Sequence, residues 1–320
     1  MTGAGLTLPV ALPLLTALAA PLVVRLPWAH WWLAAMPAGL TGYLFHLLGV
    51  VREGQPAAFH LPWVPALGLD LSLRADGLSL LYALLITGIG TLVVLYSGGY
   101  LAGEPSRGRF YGWLFVFMTG MLGVALADNL LLLFLFWEVT TLSSFMLIGF
   151  DHQRESAREA ALTALVVTAF GGLAMVAGLI LLGQSAGSFR ISTILVNFDL
   201  GDSDYYPAIA GLILLGAATK SALFPFHFWL PAAMVAPTPV SAYLHAATMV
   251  KAGIYLLLRL QPVLGDSSFW HWGVGGLGAV TMVMGATLAP LQPDLKRLLA
   301  YATISVLGLL TFMIGLGSDA

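Results

Sequence analysis

Residues 130–150 read LLLLFLFWEVTTLSSFMLIGF, an unbroken apolar run whose one charge, Glu138, stands near its middle. A helix of about 20 residues crosses the ~30 Å hydrocarbon core of a bilayer, and the period-two alternation of a half-buried strand is missing here. Thr141 and Ser144 follow Glu138 at steps of three, so one polar stripe runs down an otherwise apolar helix. Nine other stretches share this character. The spans are expected at 5–26, 30–51, 77–101, 110–127, 129–150, 160–183, 207–224, 241–261, 273–290 and 298–316, the fourth and fifth divided only around Asp128-Asn129. The expected fold class is an all-α polytopic membrane protein with about ten transmembrane helices.

The composition agrees. Of 320 residues, 59% are hydrophobic and 9% charged, with a mean hydropathy of +0.92, whereas a soluble domain is about 25% charged. So few charges cannot cover a water-facing surface, which excludes a soluble enzyme, a nucleic-acid binder and a disordered chain; the bilayer is the expected partner. With no cysteine, thiolate chemistry and Cys-ligated metals are excluded. No HExxH, GxGxxG or Walker motif occurs, His46 and His152 lack partners at ligand spacing, and no metal or cofactor is expected. Ala17-Leu18-Ala19 resembles a signal-peptidase site, but the first basic residue is Arg25, so the first span is expected to be retained. Alternating spans put Arg25, Arg107, Arg109, Arg154, Arg158, Lys296 and Arg297 on one side, and Arg52, Arg74, Arg190 and Arg259 on the other. The second side also carries Asp70, Asp199, Asp202, Asp204 and Asp266 on longer loops. The positive-inside rule makes the first side cytoplasmic and the N-terminus external. Trp28, Trp31, Trp32, Trp270 and Trp272 read as an interfacial belt, and Gly171-Gly172 as a site of close helix packing.

Two cations remain inside apolar helices, Lys220 and Lys251. An ionisable group at a helix centre costs about 2.5–3.5 kcal/mol on insertion scales and is by default a functional hypothesis. For Glu138 the alternatives are a structural ion pair pinning two helices and a proton-handling group. Lys220 lies five residues before Pro225, which removes a backbone donor and clashes with the preceding turn, so the helix is expected to break near 221–225. Irregular backbone survives in a membrane only inside protein or beside a water-filled cavity, and broken helices build many transporter ion sites. His227 and His245 bracket a Pro-rich run, and Lys251 follows. On a regular helix Ser241, His245 and Thr248 share a face, with Lys251 about 120° round from His245. Imidazoles between lysines suit a proton relay. Burial pushes a lysine towards releasing its proton and a nearby carboxylate holds it on, so a mobile Glu138–Lys220 pair would make a switchable proton carrier.

These same residues carry a resemblance. The segments LFLFWEVTTLSSFMLIGFDHQRESAREAAL (133–162), TKSALFPFHFWLPAAMVAPTPVSAYLHAATMVKAGIYLLLRL (219–260) and DLKRLLAYATIS (294–305) resemble the proton-translocating antiporter family. That family includes the large subunits of Mrp-type Na⁺/H⁺ antiporters and the antiporter-like subunits of respiratory complex I. The resemblance runs from about Arg74 to the C-terminus and is most specific between 130 and 310; the FWEVTTLSSFMLIGF and MVKAGIY runs are similar to the forms in the large A-type subunits of Mrp antiporters. It implies that Glu138 and Lys220 match the family's paired glutamate and lysine. It further implies that His227, His245 and Lys251 match its central relay and Lys296 a lysine at the start of the tenth helix. The implied fold is an antiporter-like pair of inverted five-helix repeats, each with a broken helix, here near Pro225. Residues 1–108 would supply flanking helices, 109–261 the complete first repeat, and 262–320 the start of an incomplete second, as in a truncated, split or shortened subunit. Ala232 and Val235 stand where relatives often carry acids; if those acids help ions enter, entry here uses other groups or is weaker.

The implied function is secondary transport rather than enzyme catalysis: a subunit of a multisubunit Na⁺(K⁺)/H⁺ antiporter in the bacterial plasma membrane. Its partners would be the other subunits of the complex, protons and Na⁺ or K⁺. Two alternatives stand beside it, the proton-pumping arm of a complex I-like oxidoreductase or membrane-bound hydrogenase, and a non-transporting scaffold subunit.

Overall fold

The computed structural model describes residues 3–53, 57–198, 200 and 203–317; Asp199 and Asp202 of the loop argument lie outside them. The chain forms two compact units, one of residues 1–152 with 236–248, the other of 153–235 with 249–320.

In the first unit, α1 (Leu8–Val23) and α2 (Ala29–Arg52) precede a hairpin of β1 (Ala57–Val64) and β2 (Leu69–Ala75). Then come α3 (Gly77–Tyr100), α4 (Arg107–Leu126) and α5 (Leu130–Ile148). Helix starts follow local chemistry. Asp76 and Ser79 form a reciprocal capping box on α3 (2.7 and 2.9 Å). Asn129 accepts from the amides of Leu131 and Leu132 (3.0 and 3.1 Å), so the Asp128-Asn129 break between two tightly joined spans is where it was expected. The hairpin is an addition to the helical expectation. Its strands pair antiparallel, with His60 opposite Ser72, and it docks on the α4–α5 turn through Asp128 N–H to the Ser72 carbonyl and Asn129 Nδ2 to the Gly68 carbonyl. The period-two alternation of Leu69–Ala75 carried that signal.

The second unit holds α6 (Glu155–Ser185), α7 (Ile191–Asn197), α8 (Tyr206–Lys220) and the short α9 (Trp229–Ala232). The chain then returns to the first unit through α10 (Thr238–Val240) and comes back for α11 (Ala252–Leu264), α12 (Ser268–Leu288) and α13 (Leu295–Gly315). Here α6 packs on α8, α12 on α13, and α11 on α8.

Among the described residues nine helical stretches are long and apolar enough to cross a bilayer. They match the expected spans except 207–224, where α8 stops at Lys220. Leu18, Trp28 and Trp272 are each more than two-thirds exposed, as residues that meet lipid or its interface would be. Trp270 corrects the expected belt: it is fully buried, and its Nε1 donates to Gln261 Oε1 at 3.1 Å.

Candidate functional site

Glu138 and His245 belong to the first unit; Lys220, His227, Lys251 and Lys296 belong to the second. In the first, Glu138 is half-buried at mid-α5, with its Oε1 buried. Thr141 and Ser144 are buried and donate back to the carbonyls of Trp137 (3.2 Å) and Thr141 (2.8 Å). With their protons turned to the helix backbone, these hydroxyls offer oxygen lone pairs along the Glu138 stripe.

His245 is buried in a stretch, Ser241–Ala247, that winds as a wide π-helix. Thr248 leaves helical geometry altogether (φ −130°, ψ −70°), and a tight 3₁₀ turn over Met249–Lys251 follows. This corrects the regular-helix arithmetic: the 120° offset and the shared face of Ser241, His245 and Thr248 hold only for an unbroken 3.6-residue turn. Thr248 Oγ1 donates to the Tyr243 carbonyl (2.6 Å), five residues back, which holds the wide turn. Tyr243 anchors the segment, its hydroxyl donating to the Ile86 carbonyl (3.0 Å) and its ring edge-on to Phe117. Such wide turns sit frequently at functional sites.

In the second unit Lys220 is the last residue of α8 and has no exposed surface. Helix α8 closes with Leu223 N–H to the Ala218 carbonyl (2.9 Å) and Ala222 in the left-handed region (φ 50°), the pattern of a helix stop. The expected break near Pro225 is thus present, and Phe224-Pro225 is cis. Two groups from elsewhere satisfy the interrupted backbone. Trp229 Nε1 donates to the Thr219 carbonyl (2.9 Å), and Phe224 N–H donates to Thr281 Oγ1 of α12 (3.0 Å). Gly171 of α6 allows the close approach: a Cβ there would overlap the Thr219 side chain. Close packing is thus found at Gly171 of the expected glycine pair.

His227 sits in the 3₁₀ turn Phe226–Phe228, stacked on Phe224 (6.2 Å between centroids) and tilted against Tyr301 (6.5 Å). Lys251 is partly buried at the N-terminal edge of α11, and α8 packs against its turn. Lys296 Nζ reaches the Met234 carbonyl at 3.5 Å, so this lysine of α13 touches the end of the broken segment. Sequence reasoning missed Trp229, Thr281 and Tyr301. It also missed Ser221, fully buried, whose Oγ has no hydrogen-bond partner among the described residues. Only Ser221, beside Lys220, carried a signal in the sequence.

A family profile described as NADH:quinone oxidoreductase/Mrp antiporter, TM, matches residues 127–320. A second, described as NADH-Ubiquinone oxidoreductase (complex I), chain 5 N-terminus, matches 63–111. The chain is 50% identical over 293 residues to the A-type subunit of the Na⁺/H⁺ antiporter of Alkalihalophilus pseudofirmus, covering 91% of this chain and 36% of that protein. It is 51% identical over 269 residues to the A/B-type subunit of a probable K⁺/H⁺ antiporter of Rhizobium meliloti, covering 84% and 27%. A structure of the Mrp complex from Dietzia sp. DQ12-45-1b superposes with a TM-score of 0.91 at 43% identity, over 98% of this chain and 34% of that one. The chain thus spans roughly a third of the length of these relatives.

Proposed function

Because the chain belongs to the NADH:quinone oxidoreductase/Mrp antiporter transmembrane family, we propose that it acts as a proton-translocating part of a multisubunit Na⁺ or K⁺/H⁺ antiporter. It works in the bacterial plasma membrane with the N-terminus outside, beside the other subunits of such a complex. Inward proton flow drives cation export; each charge crossing gains about 2.3 kcal/mol per 100 mV. Glu138 and Lys220 gate the proton, and His227, His245 and Lys251 carry it sideways, with Lys296, at the entrance to the tenth span, also part of the relay. The five-helix repeat over 109–261 and the start of its inverted partner over 262–320 are parts of the same reading, as are the flanking helices of 1–108.

One observation carries it: a fully buried lysine ends an apolar helix of 15 residues, shorter than a bilayer crossing needs. An ionisable group at such a place is costly in lipid and by default marks function, and pairing it with the carboxylate of Glu138 would make a proton carrier of side chains alone. The names of the Alkalihalophilus and Rhizobium relatives favour antiport over the redox-arm alternative.

The test uses everted vesicles from cells expressing the chain with its neighbouring subunits, acidified by respiration and then given Na⁺ or K⁺. Cation-dependent recovery of the pH gradient is expected in the wild type and lost in Lys220→Ala at equal membrane abundance. Recovery unaffected by Lys220→Ala would remove the lysine from the mechanism, and no recovery in the wild type would remove antiport itself.

A further inference from the structure

Where α1 ends and α4 begins, both inside the first unit, two adjoining clefts of about 550 and 450 Å³ share Val24, Arg25, Gly103 and Arg107. Three guanidiniums, from Arg25, Arg107 and Arg109, line the larger, against the single carboxylate of Glu104. Their surroundings differ. Arg107 donates to the Val24 carbonyl (2.6 Å), tying the two elements together. Arg109 donates to the Phe150 carbonyl (3.2 Å) and rests on that ring. Glu104 is turned into its own turn, accepting from the hydroxyl and amide of Ser106 (2.5 and 3.2 Å). Arg25 is exposed; its backbone N–H donates to the Leu22 carbonyl (3.1 Å), and its guanidinium makes no hydrogen bond or ion pair among the described residues.

The geometry is held by backbone. A Cβ at Gly108 would stand 3.0 Å from the Pro21 Cα, so glycine lets the last turn of α1 lie this close to the start of α4 without either backbone giving way. The amides and positive end of a 20-residue helix therefore open beside the arginines. Guanidinium forks match phosphate oxygens in number and plane. The walls decide the kind of phosphate. Leu26 and Trp28, both more than half exposed, line the second cleft, and Leu22 of α1 is 65% exposed just before it. A free anion gains nothing from such walls, whereas acyl chains and an interfacial tryptophan do.

We propose that these clefts bind the headgroup phosphate of an anionic phospholipid, with Arg25 as its free contact and its acyl chains lying along α1 and α2. The site is independent of the antiport reading.

The test takes the assembled protein, purified in detergent and delipidated, and titrates it with dioctanoyl phosphatidylglycerol, dioctanoyl phosphatidylcholine or sodium phosphate, reading retained ligand by native mass spectrometry. Phosphatidylglycerol is expected to bind about fivefold more tightly than phosphatidylcholine, the worth of one interfacial cation. Arg25→Gln, which breaks no internal bond, should erase that difference, and Arg52→Gln, at the other end of α2, should keep it. Equal retention of the two lipids by the wild type, or an undiminished preference in Arg25→Gln, overturns the site. Saturation by inorganic phosphate alone, displacing the lipid, overturns the lipid assignment in favour of a free anion.

Discussion

Thr281 and Trp229 carry no charge, yet each supplies the bond that lets the chain leave helical geometry beside Lys220. A membrane interior offers no water for an orphaned amide. Thr281→Val keeps the volume but strips the acceptor from the Phe224 N–H, and should destabilise the protein by about 1–3 kcal/mol. Trp229→Phe strips the donor from the Thr219 carbonyl, whose second lone pair makes it more tolerant, and should cost about 1 kcal/mol. Both are read as a fall in the unfolding midpoint in detergent. A wild-type midpoint in Thr281→Val would mean that the Phe224 amide is satisfied some other way. Residues of this kind are the illegible part of the site. Glu138, Lys220 and Lys251 stood out because lipid penalises charge, whereas a threonine far along the chain looks like any other until the fold brings it to Phe224.

Between neighbouring helices, close approach is the controlling variable. Gly171→Ala would drive a methyl into Thr219, a β-branched residue whose own hydroxyl is tied to the Gly216 carbonyl, so the last turn of α8 must shift. A loss of about 1–3 kcal/mol is expected, with a larger fall in transport than the stability loss alone predicts, because Lys220 rides on that turn. Gly88→Ala on α3, which meets nothing within 4 Å, should be neutral or gain up to about 1 kcal/mol of helix propensity. Equal thermal shifts for the two would dismiss the packing argument. Long apolar runs made most span positions readable, and the polar break at Asp128-Asn129 coincides with the Asn129 cap of α5. Pro225 foretold a break, though α8 already stops at Lys220 and Ala222 turns left-handed. The wide turn around His245 was not readable, because Tyr243 and Thr248 produce it through hydrogen bonds that no periodicity encodes. The hairpin was overshadowed by the helical pattern on either side.

At the scale of the whole molecule, the chain passes between its two units at 152/153, 235/236 and 248/249. The last two passages bracket the segment that carries His245, between the broken helix and Lys251. The proposed relay draws Glu138 and His245 from one unit and Lys220, His227 and Lys251 from the other, and the proposal has a measurable consequence. If Glu138 and Lys220 form a single switch, damaging one leaves little for the second lesion to remove. Glu138→Asp and Lys220→Arg should each lower the initial rate of cation-dependent pH recovery by about tenfold, and the double variant should stay near tenfold instead of falling about a hundredfold. Losses that multiply would mean two independent roles, with Glu138 left as a structural charge of α5 and Lys220 handling protons without it.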